Sequence, residues 1–100
     1  MRDVELMSRD NVTYGWVICI QNGKEVIGFV GPNGVIFDHV ENAARYQTKS
    51  DAILYTPKTL GQAMACLAEA NGTTILEELA EVPLGHVLGL FQIKELRVVV

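Results

Sequence analysis

The sequence predicts an α+β fold: an antiparallel β-meander with one main helix packed on one face, a short second helix and a C-terminal strand that joins the sheet. Alternating apolar residues early in the chain, Asn-Gly and Pro-Asn-Gly turns between them, and a later apolar spacing of three to four residues predict this fold. With 100 residues and 49% apolar side chains, the chain is long enough for one hydrophobic core and too short for two. We therefore expect residues 1–100 to form a single compact domain.

The meander is predicted from alternation and turn chemistry. In the first strand, Thr13 to Ile20, every second large side chain faces the same side: Tyr14, Trp16, Ile18 and Ile20. Asn22-Gly23 predicts a hairpin turn into a second strand, Glu25 to Val30, whose consecutive apolar residues indicate cover on both faces. The turn Gly31-Pro32-Asn33-Gly34 then leads to a third strand, Val35 to Phe37.

The main helix is predicted between two end signals. Thr56-Pro57 supplies an N-cap hydroxyl followed by proline at the first helical position, and Asn71-Gly72 suits a left-handed helix end. Between them the apolar residues form one stripe: Leu60, Ala63, Met64, Leu67 and Ala68. The stripe is expected to pack on the sheet.

Shorter signals precede this helix. Asp38 and Glu41 form a capping-box pattern, which predicts a helical turn through Arg45. Residues 47–51 suggest an exposed connection, and the brief apolar run Ala52 to Tyr55 leaves an edge strand or a turn open.

Beyond the main helix, a second capping-box pattern at Thr74 predicts a short helix that ends before Pro83. Leu84 to Leu90 is apolar and glycine-rich, so it is either a loop folded under the core or a short strand. Phe91 to Val100 is predicted as a strand. Its apolar residues change parity, which indicates either a bulge near Lys94-Glu95 or cover on both faces.

Charge and composition exclude several classes of protein. Eight Lys and Arg against twelve Asp and Glu give a net charge of −4, which does not favour binding to nucleic acid or to anionic lipid. The longest uncharged apolar stretch, Val82 to Phe91, falls short of the about 20 residues of a membrane span. Acids at Asp3 and Glu5 interrupt any leader-like apolar run, so we expect a cytoplasmic protein.

The residues that could support catalysis are scattered. Cys19 and Cys66 lie among apolar neighbours, which predicts two buried free thiols. The two cysteines and the two histidines, His39 and His86, lack the paired spacing of zinc ligands. The glycines at 28, 31 and 34 flank a turn between strands, whereas a phosphate-binding loop leads into a long helix. The sequence predicts no metal and no cofactor, and an enzyme that uses Asp38, His39 and either Cys66 or His86 is its least favoured hypothesis.

Acidic residues are segregated along the chain. Residues 59–93 contain four acids and no Lys or Arg: Glu69, Glu77, Glu78 and Glu81. Such a surface favours a protein partner with a basic patch, although four carboxylates also suit a solvated helix face. Tyr46 and Tyr55, beside polar segments, are the aromatic residues best placed for partner contact, and Trp16 is expected in the core.

Two further hypotheses concern other surfaces. A small-molecule or nucleotide site is the alternative function, with a pocket enclosed by the sheet and Leu84 to Leu90 and polar contacts from His39, Arg45 or His86. The apolar end Arg97 to Val100 predicts an edge strand that pairs with a second copy in a homodimer.

Part of the chain resembles small accessory proteins of bacteriophages and prophages. The resemblance is carried by Trp16-Val17-Ile18, a glycine turn, Gly34, the segment Ala43-Ala44-Arg45-Tyr46 and the following Thr48 and Asp51-Ala52. It implies a non-enzymatic protein that binds and modulates a host factor, such as one involved in defence. Together with the acidic segment, it predicts a small inhibitor or modulator that acts by occluding its partner.

Overall fold

The computed structural model describes residues 3–5, 13–70 and 73–99, which form an α+β fold as predicted. The strands within this part of the chain are β1 (Asp3–Glu5), β2 (Thr13–Asn22), β3 (Glu25–Val30), β4 (Ile36–Phe37) and β5 (Phe91–Val99). The α-helices are α1 (Lys49–Tyr55), α2 (Leu60–Ala68) and α3 (Thr73–Leu79). Three of the described segments form 3-10 helices: Pro32–Gly34, Val40–Asn42 and the longer Leu84–Leu90. Of the helices described, none is both long and apolar enough to cross a membrane.

The strands form one antiparallel sheet in the order β1-β5-β2-β3-β4. The predicted meander is therefore confirmed as β2, β3 and β4. Its turns use the residues that the sequence indicates: Gly23 has a φ of 65° in the hairpin loop, and Asn33 has a φ of 61° in the second turn. Gly31 is needed for a different reason, since any side chain there would overlap the ring of Phe37.

The C-terminal strand β5 lies inside the sheet, paired with β2 on one side and with β1 on the other. The predicted edge strand at Arg97 to Val100 is wrong, because Asp3–Glu5 pairs with residues 97–99. Strand pairing through that edge therefore no longer supports a homodimer. The predicted bulge at Lys94-Glu95 is also wrong, since the pairing is regular there and shifts instead between Thr13 and Gly15 on β2.

The sheet is covered on both faces, as the second explanation for the change of parity along β5 predicts. The larger core packs the helices against one face and includes Ile18, Ile20, Ile36, Ala52, Ala63, Leu67, Ile75, Val87 and Phe91. The smaller core lies on the opposite face, under the segment around Val40–Asn42, and includes Val17, Cys19, Phe29, Ala43 and Leu96. Alternate residues of β2 therefore enter different cores.

The boundaries of the predicted main helix are wrong at its start. Thr56 ends α1 instead of starting a helix, because its hydroxyl donates to Ala52 O (2.9 Å) and its amide donates to Ile53 O (3.2 Å). The helix α2 starts later, with Thr59 as its N-cap. The residues 52–55, left open as an edge strand or a turn, belong to α1. The predicted helix end at Asn71-Gly72 lies outside the described residues.

The buried face of α2 is only partly the predicted stripe. Ala63 and Leu67 are buried, but Leu60 and Met64 are 38% and 42% exposed, and Cys66 takes their place in the core. The helix is rotated so that one side of the predicted stripe faces solvent.

Three further boundaries differ from the prediction. The turn after β4 is a 3-10 helix, Val40–Asn42, whose N-cap is His39 without a side-chain hydrogen bond, so the Asp38 capping box is not formed. The helix α3 begins at Thr73, so Thr74 lies inside it, although it ends before Pro83 as predicted. Leu84–Leu90 is a 3-10 helix and neither a loop nor a strand, and its buried residues Val87 and Leu90 are three positions apart, the repeat of a 3-10 helix.

Candidate functional site

Two surface depressions lie on either side of α2. The larger, which we call the tyrosine cleft, has a volume of about 840 Å³. Its lining includes Tyr46, Leu54, Tyr55, Lys58, Gln62, Cys66 and Glu69. The smaller, which we call the apolar groove, has a volume of about 290 Å³ and lies between α2, α3 and the 3-10 helix Leu84–Leu90. Its lining is Met64, Leu67, Ala68, Leu76, Leu79, Ala80, Val82, Leu84 and Val87.

Tyr46 is held in place by the sheet. Its backbone forms a two-bond bridge with Trp16 of β2: the Trp16 amide donates to Tyr46 O (2.8 Å), and the Tyr46 amide donates to Trp16 O (2.9 Å). Gly15 is the residue before Trp16, and a side chain there would press on the Tyr46 carbonyl at 3.1 Å. The bridge therefore fixes the backbone position from which the Tyr46 side chain projects.

Tyr55 is positioned by α1 and stacks on Tyr46. The two ring centroids lie 5.3 Å apart with an angle of 17° between the planes, an offset stacking distance. Thr48 caps the helix by accepting a hydrogen bond from the Asp51 amide (3.1 Å), and Ala52 anchors it in the core. Because Tyr55 is the last residue of α1, 67% of its surface remains exposed.

The stack changes the titration of Tyr46. Burial raises the pKa of its phenol, and the neighbouring Tyr55 raises it further. At neutral pH the ring is therefore uncharged and can act as a hydrogen-bond donor or as an aromatic surface. Trp16, predicted to be in the core, is half-buried beside this region, with Lys49 Nζ 6.0 Å from its ring centroid.

The opposite wall of the tyrosine cleft comes from the start of α2 and its body. Thr59 accepts from the Gln62 amide (3.1 Å), and Gln62 Oε1 accepts from the Lys58 amide (2.8 Å), so the helix start is capped in both directions. One turn later, Cys66 Sγ donates to Gly34 O (3.2 Å). The last of these bonds ties α2 to the turn between β3 and β4.

The sequence-predicted partner residues divide into two groups. Tyr46, Tyr55 and Glu69 line the tyrosine cleft together, although they come from three separate segments. Glu77, Glu78 and Glu81 are exposed on α3 and the turn after it. Glu78 also borders a cavity of about 250 Å³ beside β3.

The sequence-predicted ligand residues are not brought together. His39, Arg45 and His86 are all exposed and line none of these three depressions. The apolar groove borders Leu84–Leu90, but no strand residue and neither histidine lines it, so it is not the pocket predicted between the sheet and that segment. These three depressions therefore give no support to the alternative hypothesis that these side chains bind one ligand.

The side chains in the cleft favour binding over covalent chemistry. Burial raises the pKa of the Cys66 thiol, so little thiolate is present at neutral pH. Cys19 is a free thiol in the core on the other face of the sheet. Burial raises the pKa of this thiol too. Among the described residues, no group of three or more His, Cys, Asp and Glu could hold a metal ion.

Sequence reasoning missed several lining residues. Leu54, 66% exposed beside Tyr55, and the polar Gln62 extend the tyrosine cleft, whereas Met64 and Leu84 form exposed walls of the groove. The available signal for Leu54 is its position beside Tyr55, which the sequence does predict at the surface. No known protein family, curated protein or solved structure matches this chain.

Proposed function

We propose that this protein is a non-enzymatic interaction module. Its helical segment, residues 49–90, binds a basic segment of a partner protein and thereby occludes that segment. The observation that carries the proposal is the convergence of Tyr46, Tyr55 and Glu69 on one open cleft. An aromatic surface beside a carboxylate is suited to a cationic side chain, since a guanidinium can stack on a tyrosine face and pair with a carboxylate.

The charge distribution supports a basic partner. Residues 59–93 contain Glu69, Glu77, Glu78 and Glu81 but no Lys or Arg, and all four acids are exposed. A single-sign surface of this kind attracts an oppositely charged protein and speeds its association at low salt. Lys58 is the one feature that opposes a cation, because it lines the same cleft.

The resemblance of residues 16–52 to bacteriophage accessory proteins is consistent with such a role. A small acidic protein can inhibit a host factor by covering a basic surface that the factor needs for its own ligand. We therefore propose inhibition by occlusion, with a host protein as the partner.

The experiment is a selection from a library of random peptides at low salt. We expect the retained peptides to be enriched in Arg and Lys, and the enrichment to fall at high salt. Glu69→Gln and Tyr55→Ala should each weaken binding of a retained peptide by about tenfold, the effect of about 1.4 kcal/mol. Lys58→Ala should strengthen it.

The matched control is Glu41→Gln, which removes a carboxylate that is also exposed but does not line the cleft. It should leave peptide binding unchanged. The proposal is wrong if the retained peptides carry no excess of basic residues, or if Glu69→Gln and Glu41→Gln have the same effect.

A second candidate function rests on the size of the tyrosine cleft. Its volume of about 840 Å³ lies within the range of small-molecule sites. A planar ligand could stack on Tyr55, in place of a partner side chain. A thermal shift with a panel of aromatic metabolites and nucleotides, lost in Tyr55→Ala, would favour this function over peptide binding.

A further inference from the structure

We infer that the apolar groove on the other side of α2 binds an amphipathic helix with basic flanks, supplied by a partner protein; this inference rests on the proposed function and names the second surface that the partner uses. The groove has a buried floor and exposed walls. Leu67, Leu79 and Val87 form the floor and are 5%, 9% and 3% exposed. Met64, Leu76 and Leu84 form the walls and are 42%, 42% and 60% exposed.

Wholly apolar side chains line this depression, in contrast to the tyrosine cleft. Single exposed apolar residues are common on protein surfaces, but three large ones around one concave floor mark an interaction site. The methionine adds adaptability, because its unbranched side chain can fit differently shaped partners.

The occupant is identified first by charge. Every residue that lines the groove lies within residues 64–87, and the four acids of residues 59–93 are all exposed: Glu69, Glu77, Glu78 and Glu81. Residues 59–93 offer no Lys or Arg to balance them. A second copy of this chain would bring the same acids to a symmetric interface, where like charges repel. A basic partner gains from the same arrangement.

The helical form of the occupant follows from the walls. All three elements that border the groove are helical, so they present no open strand edge to which a peptide strand could add. No aromatic residue lines the groove, whereas the grooves that bind proline-rich segments are aromatic. The remaining mode is a helix that inserts apolar side chains at positions i, i+3 or i+4, and i+7.

The probe for the test is a synthetic amphipathic peptide with leucines at those positions and lysines elsewhere. The control peptide has the same composition, with the leucines distributed around the helix. We expect the amphipathic peptide to bind and become helical by circular dichroism, and the control peptide to bind at least about tenfold more weakly.

Variants assign the binding to the groove. Leu84→Ser should weaken binding by about tenfold, and Met64→Gln should weaken it by less. Ile53→Ser is the matched control, since Ile53 is 45% exposed on α1 and lines neither depression. The charge pair E77K/E81K should weaken binding, and E25K/E41K, with the same change in net charge, should leave it unchanged.

The outcomes separate this inference from the proposed function. If peptide binding is lost in Tyr55→Ala but retained in Leu84→Ser, the groove is not the helix site while the interaction module stands. If neither set of variants affects binding, both proposals fail. If the protein dimerises and Leu84→Ser abolishes the dimer, a second copy covers the groove. That outcome would overturn the inference.

Discussion

The strands and the helical segment, residues 49–90, differ in how they distribute apolar side chains. The largest fully buried side chains come from the strands: Val17, Ile18, Cys19, Ile20, Ile36 and Leu96. The exposed large apolar side chains of the described residues all lie in the helical segment: Ile53, Leu54, Tyr55, Leu60, Met64, Leu76 and Leu84. The strands therefore supply the most completely buried side chains, and the helical segment adds buried residues to the larger core while it also carries the apolar surface that a partner can cover.

The difference has a geometric cause. The sheet is covered on both faces, so β2 buries successive residues. Each helix packs on one side only, and none of the three exceeds nine residues. The seven residues of α1 bury only Ala52. Helices this short depend on packing for their stability, yet they leave much of their own surface uncovered.

The strongest test of this comparison is a matched pair of truncations. Ile18→Ala removes a fully buried side chain from the larger core and should lower the free energy of unfolding by about 2–5 kcal/mol. Leu84→Ala truncates a side chain that is 60% exposed and should change it by less than about 1 kcal/mol. Urea denaturation followed by circular dichroism measures both values.

Equal losses of stability in the two variants would contradict the comparison. Such a result would mean that the apolar groove is part of the stabilising core and that its exposed walls are not available to a partner. Peptide binding measured on the same two proteins should show the reverse order of effects.

A smaller effect is expected from two glycine substitutions. Gly31→Ala places a methyl group against the Phe37 ring in the sheet and should cost about 1–3 kcal/mol. Gly85→Ala meets no atom within 4 Å in the 3-10 helix and should change stability by less than about 0.5 kcal/mol. Thermal unfolding of both variants, compared with the unsubstituted protein, distinguishes the two sites.

A neutral Gly31→Ala would show that Phe37 can move away without loss. The turn between β3 and β4 would then be more mobile than the two strands that it connects. The wall of the tyrosine cleft, which Cys66 ties to Gly34 in this turn, would be more mobile as well.

The meander could be predicted from the sequence because its signals are local. Gly23 and Asn33 adopt the positive φ values that their residue types favour, and the alternation along β2 is set by the strand itself. No long-range contact has to be known before those elements are recognised.

The helical segment was harder to predict because neighbouring signals compete. Thr48, Thr56 and Thr59 all suit an N-cap, and tertiary burial of Ala52 decides that Thr48 starts a helix while Thr56 ends it. A helix of seven residues shows too little periodicity to separate it from a turn. The stripe on α2 was visible, but the sequence does not say which part of an apolar face the sheet covers.

The candidate site shows the same division. Tyr46, Tyr55 and Glu69 were each named from their local setting, but their meeting in one cleft depends on the Trp16 bridge and on the packing of α1 and α2. His39, Arg45 and His86 were named on chemistry alone, and the fold leaves them on the surface. Residue type predicted the candidates, and long-range packing determines which of them lie together.

The smallest expected effect is a pH dependence that compares a thiol of the sheet with a thiol of the helical segment. Burial raises the pKa of both Cys19 and Cys66 above the ordinary 9.0, although Lys94 partly offsets this at Cys19. The folded state therefore holds these protons more tightly than the unfolded state. It follows that the stability they contribute is present below pH 9 and is lost as the pH rises above it.

Urea denaturation at intervals from neutral pH to above pH 9 measures this loss. Cys66→Ala and Cys19→Ala should each make the decline shallower, because each removes one group whose proton is released on unfolding at high pH. An unchanged slope in Cys66→Ala would mean that its thiol is as well solvated in the cleft as in the unfolded chain. The bond from Cys66 to Gly34 would then be open in solution, and the cleft wall would be mobile while the sheet beneath it, reported by Cys19, stays closed.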